Sequence, residues 1–171
     1  NTVNEDTSAD LLQTEVNSAR VELMKMTRRL KPLYLVPIDD AVIDSREMLI
    51  YGITDGSTDI YDFVEENDPD NEIIDSDSIT VVGTGTEVKV LDALTNEVLA
   101  TYRILLYGDV NGDGVIDGID KSAINSHING QTLLTEGSVY YMAADTNHDG
   151  VINDADASLV DTPASIIQNP N

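Results

Sequence analysis

Two stretches of this chain carry residues whose types and spacing could do chemistry. They are Asp109-Val-Asn-Gly-Asp-Gly-Val-Ile-Asp-Gly-Ile-Asp120 and, 36 residues later, Asp145-Thr-Asn-His-Asp-Gly-Val-Ile-Asn-Asp-Ala-Asp156. Both offer side-chain oxygens at positions 1, 3, 5, 9 and 12. Calcium is a hard cation that takes about six to eight oxygens, and a twelve-residue loop delivers them from positions 1, 3, 5, 7, 9 and 12. Asp109, Asn111 and Asp113 fill the first three slots in one copy, and Asp145, Asn147 and Asp149 fill them in the other. At position 7, Val115 and Val151 need give only a backbone carbonyl. Asp117 and Asn153 at position 9 act through a water, while Asp120 and Asp156 close each cage at the start of a following helix. Gly114 and Gly150 stand where the chain must turn sharply and a Cβ would clash. Ile116 and Ile152, at position 8, point away from the ion, where they can meet across the pair. The sequence therefore predicts two Ca2+ ions. The alternative, two metal-free Asp-rich turns, leaves crowded carboxylates unneutralised.

Two departures separate these loops from a calcium sensor. Position 12 is Asp rather than a long bidentate Glu. Residues 101–108 read as a strand and a glycine, whereas an EF-hand needs a helix on each side of its loop. Each unit is predicted as a loop with an exit helix only, over residues 120–128 and 156–160.

Three regions must position these loops. In residues 8–30, Leu12, Val16, Ala19, Leu23, Met26 and Leu30 fall at alternating spacings of four and three, the seam of an amphipathic helix that Thr7 or Ser8 caps and Pro32 stops. Such a helix serves either as a linker packed on its neighbour or as a self-associating stalk. Residues 33–107 read as short strands at 33–38, 48–52, 79–82, 87–91 and 98–107, with Thr95-Asn96 as a hairpin turn. Ile60, Phe63 and Val64 are predicted on one side of a short helix. The division is 1–32, 33–107 and 108–171, and the class is α+β.

Composition narrows the function. The net charge of −23, from 32 acidic and 9 basic residues, argues against nucleic-acid binding, which needs a Lys/Arg footprint, and against anionic membranes. Residues 108–171 hold ten acids against one base, Lys121, so compaction there calls for cations. With no Cys there is no disulfide scaffold and no thiolate site. Apolar runs fall short of the roughly 20 residues that span a membrane. The chain starts at Asn1 without a signal peptide and is read as a mature or excised piece of a longer protein.

The tandem of loop-plus-exit-helix units, preceded by Tyr107-Gly108, resembles the dockerins of bacterial cellulosomes over about residues 106–171. Val82-Gly-Thr-Gly-Thr86 and the strand running into Gly108 look like the X-module that precedes some dockerins. The resemblance implies an α-helical dockerin of two calcium-binding loop-helix (F-hand) repeats behind an X-module-like β-rich domain. It also implies calcium-dependent binding of a cohesin on a scaffoldin or cell-surface protein, and an extracellular location. By position, Gly118, Ile119, Ser122, Asn125 and Ser126 in the first copy and Asp154, Ala155, Ser158, Asp161 and Thr162 in the second would face that partner. Gly118-Ile119 and Asp154-Ala155 differ in size and charge, and Pro163 cuts the second helix short, so one dominant orientation through the first helix is expected. Tyr107 would either stack on Pro170 to clasp the ends or stand idle at the surface.

An enzyme reading lacks a site. His127 and His148 are the only histidines, the first expected to touch a partner or solvent and the second to be an exposed spectator at loop position 4. No nucleophile motif, phosphate loop or zinc signature is present. A sensor would need a Met-rich groove, yet Met24, Met26, Met48 and Met142 all lie outside the exit helices. A cohesin-binding adaptor is the reading taken. The alternative is a calcium-stabilised structural or adhesion module that binds no cohesin.

Overall fold

The computed structural model describes residues 15, 16, 18, 19 and 35–170. The chain divides into two compact units, Asn1–Leu33 and Tyr34–Asn171. In the first, the four described residues are helical; the rest of the predicted amphipathic seam lies outside the described residues.

Among the described residues the second unit holds seven strands, β1 (Leu35–Pro37), β2 (Val42–Asp44), β3 (Leu49–Tyr51), β4 (Val64–Glu66), β5 (Glu72–Ile74), β6 (Glu87–Asp92) and β7 (Val98–Ile104). Three helices follow, α1 (Gly118–Ile128), α2 (Val139–Ala144) and α3 (Asp154–Leu159). The main sheet runs β2-β3-β7-β6-β5, antiparallel except for the parallel β3/β7 pair, and β1 and β4 form a separate antiparallel pair. Hydrophobic alternation sets the register of β6, whose Val88 and Val90 point into the core while Lys89 and Leu91 are only partly covered. The β6/β7 hairpin turns at Thr95-Asn96 as expected: the Asp92 carboxylate accepts the Leu94 and Thr95 N–H groups, and Asn96 takes φ 57.

Elsewhere tertiary pairing overrides the local pattern. The expected helix at 60–64 is a single 3-10 turn, Ile60–Asp62, capped by the Asp59 carboxylate; Val64 leaves it to pair with Pro37. Residues 79–82 form no strand, because Ile79 closes a 3-10 turn at Ser76–Ser78 and only Val82 bridges, to Ser57. The last strand stops at Ile104 rather than running on to residue 107. Beyond it the Leu106 N–H goes to Thr84 Oγ1 and the Tyr107 N–H to Gln168 Oε1, so side chains replace the ladder.

The sheet and the helices share one buried cluster: Leu49 and Tyr51 of β3 pack with Leu105, Tyr107, Val139, Ala143 and Ile166. A second cluster, Val110, Ile124, Ala144, Ala157 and Val160, lies among the helices and loops. Ile116 packs against both clusters and Ile152 against the second, so the two position-8 side chains serve a common core. At about 25 cal/mol per Å2 of apolar surface, this burial supplies the main force holding the helical part on the sheet.

Candidate metal centre

Each loop is built by its own carboxylates before any ion is considered. Asp109 accepts the Gly112 N–H on Oδ1 at 2.7 Å and the Gly114 N–H on Oδ2 at 3.1 Å. Asp113 accepts from Val115 N–H at 2.9 Å, while its own N–H donates to Asn111 Oδ1 at 2.8 Å. Asp120 receives Val110 N–H and Asn111 N–H on one oxygen and Asp117 N–H on the other. The second loop follows a similar scheme with two differences: Asp145 accepts from Asp149 and Gly150, at positions 5 and 6 rather than 4 and 6, and Asp156 accepts from Asn147, Asn153 and the Thr146 hydroxyl, while Asp149 accepts from Val151 as Asp113 does from Val115. Gly114 and Gly150 make the expected sharp turn at φ 81 and 84, in the left-handed region; the expected Cβ clash is absent at Gly150, where nothing lies within 4 Å, so backbone conformation rather than crowding calls for glycine there.

The exit helices begin two residues earlier than the sequence suggests, and the expectation of an exit helix alone fails at the second loop, where α2 runs directly into Asp145, its C-cap. Asp117 and Asn153 at position 9 are N-caps, accepting the Ile119 and Ala155 N–H groups, and Asp120 and Asp156 at position 12 reach back to the cap N–H as capping boxes. Position 12 thus lies in the first helical turn, where a carboxylate also suits the helix dipole.

The electrostatics call for a cation. Asp109, Asp120 and Asp156 are fully buried. Burial pushes the Asp109 carboxyl up, against the N–H groups it accepts, and nearby Asp120 adds to the rise. Burial likewise raises Asp120, with Asp113 adding to it. Lys121, the one base in residues 108–171, is committed to Asp161 at the surface. Among the described residues no three Asp, Glu, His or Cys side chains are already drawn into one ligand shell. The donor set is nonetheless all oxygen, from carboxylates, Asn amides and backbone carbonyls, and it fits a hard ion such as calcium rather than zinc. Asp109 Oδ1 and Asp120 Oδ2 each accept a single N–H, as do both oxygens of Asp145, and so retain a lone pair for it.

The residues assigned to a partner lie on two helices that face each other across the second cluster. Gly118, Ile119 and Ser122 on α1, and Asp154, Ala155, Ser158, Asp161 and Thr162 on or after α3, are exposed; Asn125 and Ser126 are half-buried. Ile119 is 60% exposed, a large apolar side chain without cover. The hydroxyls of Ser122, Ser126 and Ser158 bond back to helix carbonyls four residues earlier.

Both histidines depart from expectation. His148 is half-buried, its Nε2 lies 2.7 Å from Ile167 O, and its ring meets Tyr107 edge-on at 4.4 Å. His127 accepts the Leu134 N–H on Nδ1 and stands edge-on to Tyr141, pinning the segment after α1. Tyr107 is buried at 9% exposure, so it does not stand idle at the surface, and its ring meets that of His148. Three residues were not found by sequence reasoning: Gly83 and Thr84, which abut Asp109, and Gln168, which brackets Tyr107. The Val82-Gly-Thr-Gly-Thr86 stretch hinted at a tight turn, but nothing local marked Gln168.

No curated protein and no solved structure matches the chain. Residues 107–162 match the family model of the dockerin type I domain, and dockerin domains bind calcium and dock on cohesin partners.

Proposed function

We propose that this chain is a two-calcium docking module that binds a cohesin on a scaffoldin or cell-surface anchoring protein and so attaches its parent protein outside the cell. The observation that carries the reading is the pair of loops on one twelve-residue template, each with a buried position-12 carboxylate that accepts N–H groups from positions 3 and 9 of its own loop. Asp109, Asn111, Asp113, the Val115 carbonyl, Asp117 and Asp120 hold one ion; Asp145, Asn147, Asp149, the Val151 carbonyl, Asn153 and Asp156 hold the other. Free calcium outside cells is millimolar, enough to fill sites of modest affinity. No helix among the described residues is long and apolar enough to cross a membrane.

Residues 33–107 serve as an X-module, a non-catalytic support that fixes the orientation of residues 108–171. The shared buried cluster supports this role. The cohesin is gripped in one dominant orientation through α1, which has eleven residues against six in α3 and carries the uncovered Ile119.

Pull-down with a panel of cohesins, with and without chelator, tests the reading. Capture that chelation abolishes is expected. Calcium uptake with no capture by any cohesin favours the structural or adhesion module instead.

A further inference from the structure

The two loops share a template, yet they are held differently. Asp145 takes N–H groups only from its own loop, and nothing lies within 4 Å of where a Cβ on Gly150 would stand. Asp109 takes a third N–H at 2.8 Å, from Thr84 in the turn before β6. The Gly56 N–H donates to Gly114 O at 3.1 Å. A Cβ on Gly83 would stand 2.6 Å from Gly114 N and 2.8 Å from Asp109 Oδ2. Thr84 is itself locked, its Oγ1 donating to Leu106 O at 2.9 Å and accepting Leu106 N–H at 3.1 Å. Position 4 carries the same asymmetry. It is Gly112 in the first loop, where a Cβ would stand 2.6 Å from Thr84 O, and His148 in the second.

A donor on the outer oxygen of a ligating carboxylate fixes its orientation, and losing one typically changes metal affinity by about 10- to 100-fold. We infer that the β-rich segment completes the first calcium site alone, with Gly56, Gly83 and Thr84 as positioning residues, so that the two ions are inequivalent and filling the first loop stabilises the sheet. This rests on the two-ion reading. By linkage the effect runs both ways, with sheet folding tightening the first ion and leaving the second unchanged.

The test uses the whole chain with one loop disabled at a time, Asp145→Asn or Asp109→Asn. Calcium uptake is followed by titration, and amide hydrogen exchange is followed at Val88, Tyr102 and Ile104 in the buried strands. Calcium is expected to slow their exchange about tenfold or more in Asp145→Asn and less than about twofold in Asp109→Asn. Gly83→Ala is expected to weaken one ion about 10- to 100-fold and leave the other unchanged. Should Gly83→Ala fail to fold, the two Asp variants decide. Equal slowing in both variants, no slowing in either, or equal weakening of both ions by Gly83→Ala overturns the inference. A wild-type chain that takes up no calcium is a different result, and it removes the two-ion reading along with what rests on it.

Discussion

The side-chain amide of Gln168 brackets the backbone of Tyr107, its Oε1 accepting the Tyr107 N–H at 2.8 Å and its Nε2 donating to the Tyr107 carbonyl at 2.7 Å. The Gln168 carbonyl meanwhile accepts the Gly52 N–H just after β3. One buried glutamine ties the end of the chain to the start of the helical part and to the sheet. Gln168→Leu keeps the volume and leaves two buried backbone groups without partners, at about 1–3 kcal/mol each. Urea unfolding in excess calcium is expected to show a loss of at least about 2 kcal/mol. A loss below about 0.5 kcal/mol would show that the clasp is dispensable.

Removing calcium is expected to melt the loops and their exit helices. Asp113, Asp117 and Asp120 then repel one another with no cation nearby, and an ion held at about 100 times its Kd no longer contributes its ~2.7 kcal/mol per site. Chelator should reduce the far-UV helical signal and lower the Tm, and calcium should restore both. A far-UV spectrum indifferent to chelator would falsify the ion-dependent fold.

Partner binding is expected to be lopsided. Ile119→Ala removes an uncovered apolar anchor and should weaken the cohesin complex about tenfold or more, whereas Ser158→Ala on α3 removes a hydroxyl already bonded to Asp154 O and should change it less than about threefold. Titration calorimetry separates them. Equal losses would mean that both helices grip.

A pH response is built into the sheet edge. Tyr61 donates its hydroxyl to Glu66 Oε1 at 2.7 Å, and burial together with that bond pushes its phenol from the ordinary 10.0 up to about 12. Burial pushes the Glu66 carboxyl up, but the Ile74 N–H and the Tyr61 hydroxyl outweigh it and hold the group below its ordinary value. A raised phenol favours the fold below pH 10 and loses that contribution as pH climbs through about 12. A lowered carboxyl favours the fold above its unfolded value and loses the contribution as pH falls through the folded one. The stability difference between wild type and Tyr61→Phe should therefore be flat from about pH 6 to 9 and shrink between pH 10 and 12. Denaturant midpoints across that range measure it, and a constant difference would show that the bond does not set the titration.

The twelve-residue loops, their turn glycines and their exit helices were legible because the interactions common to both loops join residues fewer than a dozen positions apart. Asp109 with Gly114, Asp117 with Asp120 and Asn153 with Asp156 are local pairs, and their spacing is written in the chain. The strands at 87–91 and 48–52 were legible from β-rich runs, whereas β2, β4 and β5, three residues each, were not; β4 and β5 pair with partners 16 or more positions away.

The sequence by itself determined that this chain has two oxygen-rich loops suited to a hard divalent ion, each leading into a helix. Only the tertiary structure decided that they are unequal. Thr84 reaches Asp109 across 25 positions and Gln168 reaches Tyr107 across 61. Contacts of that span arise from packing the sheet against the helices, and no periodicity or spacing records which residues such packing will bring together.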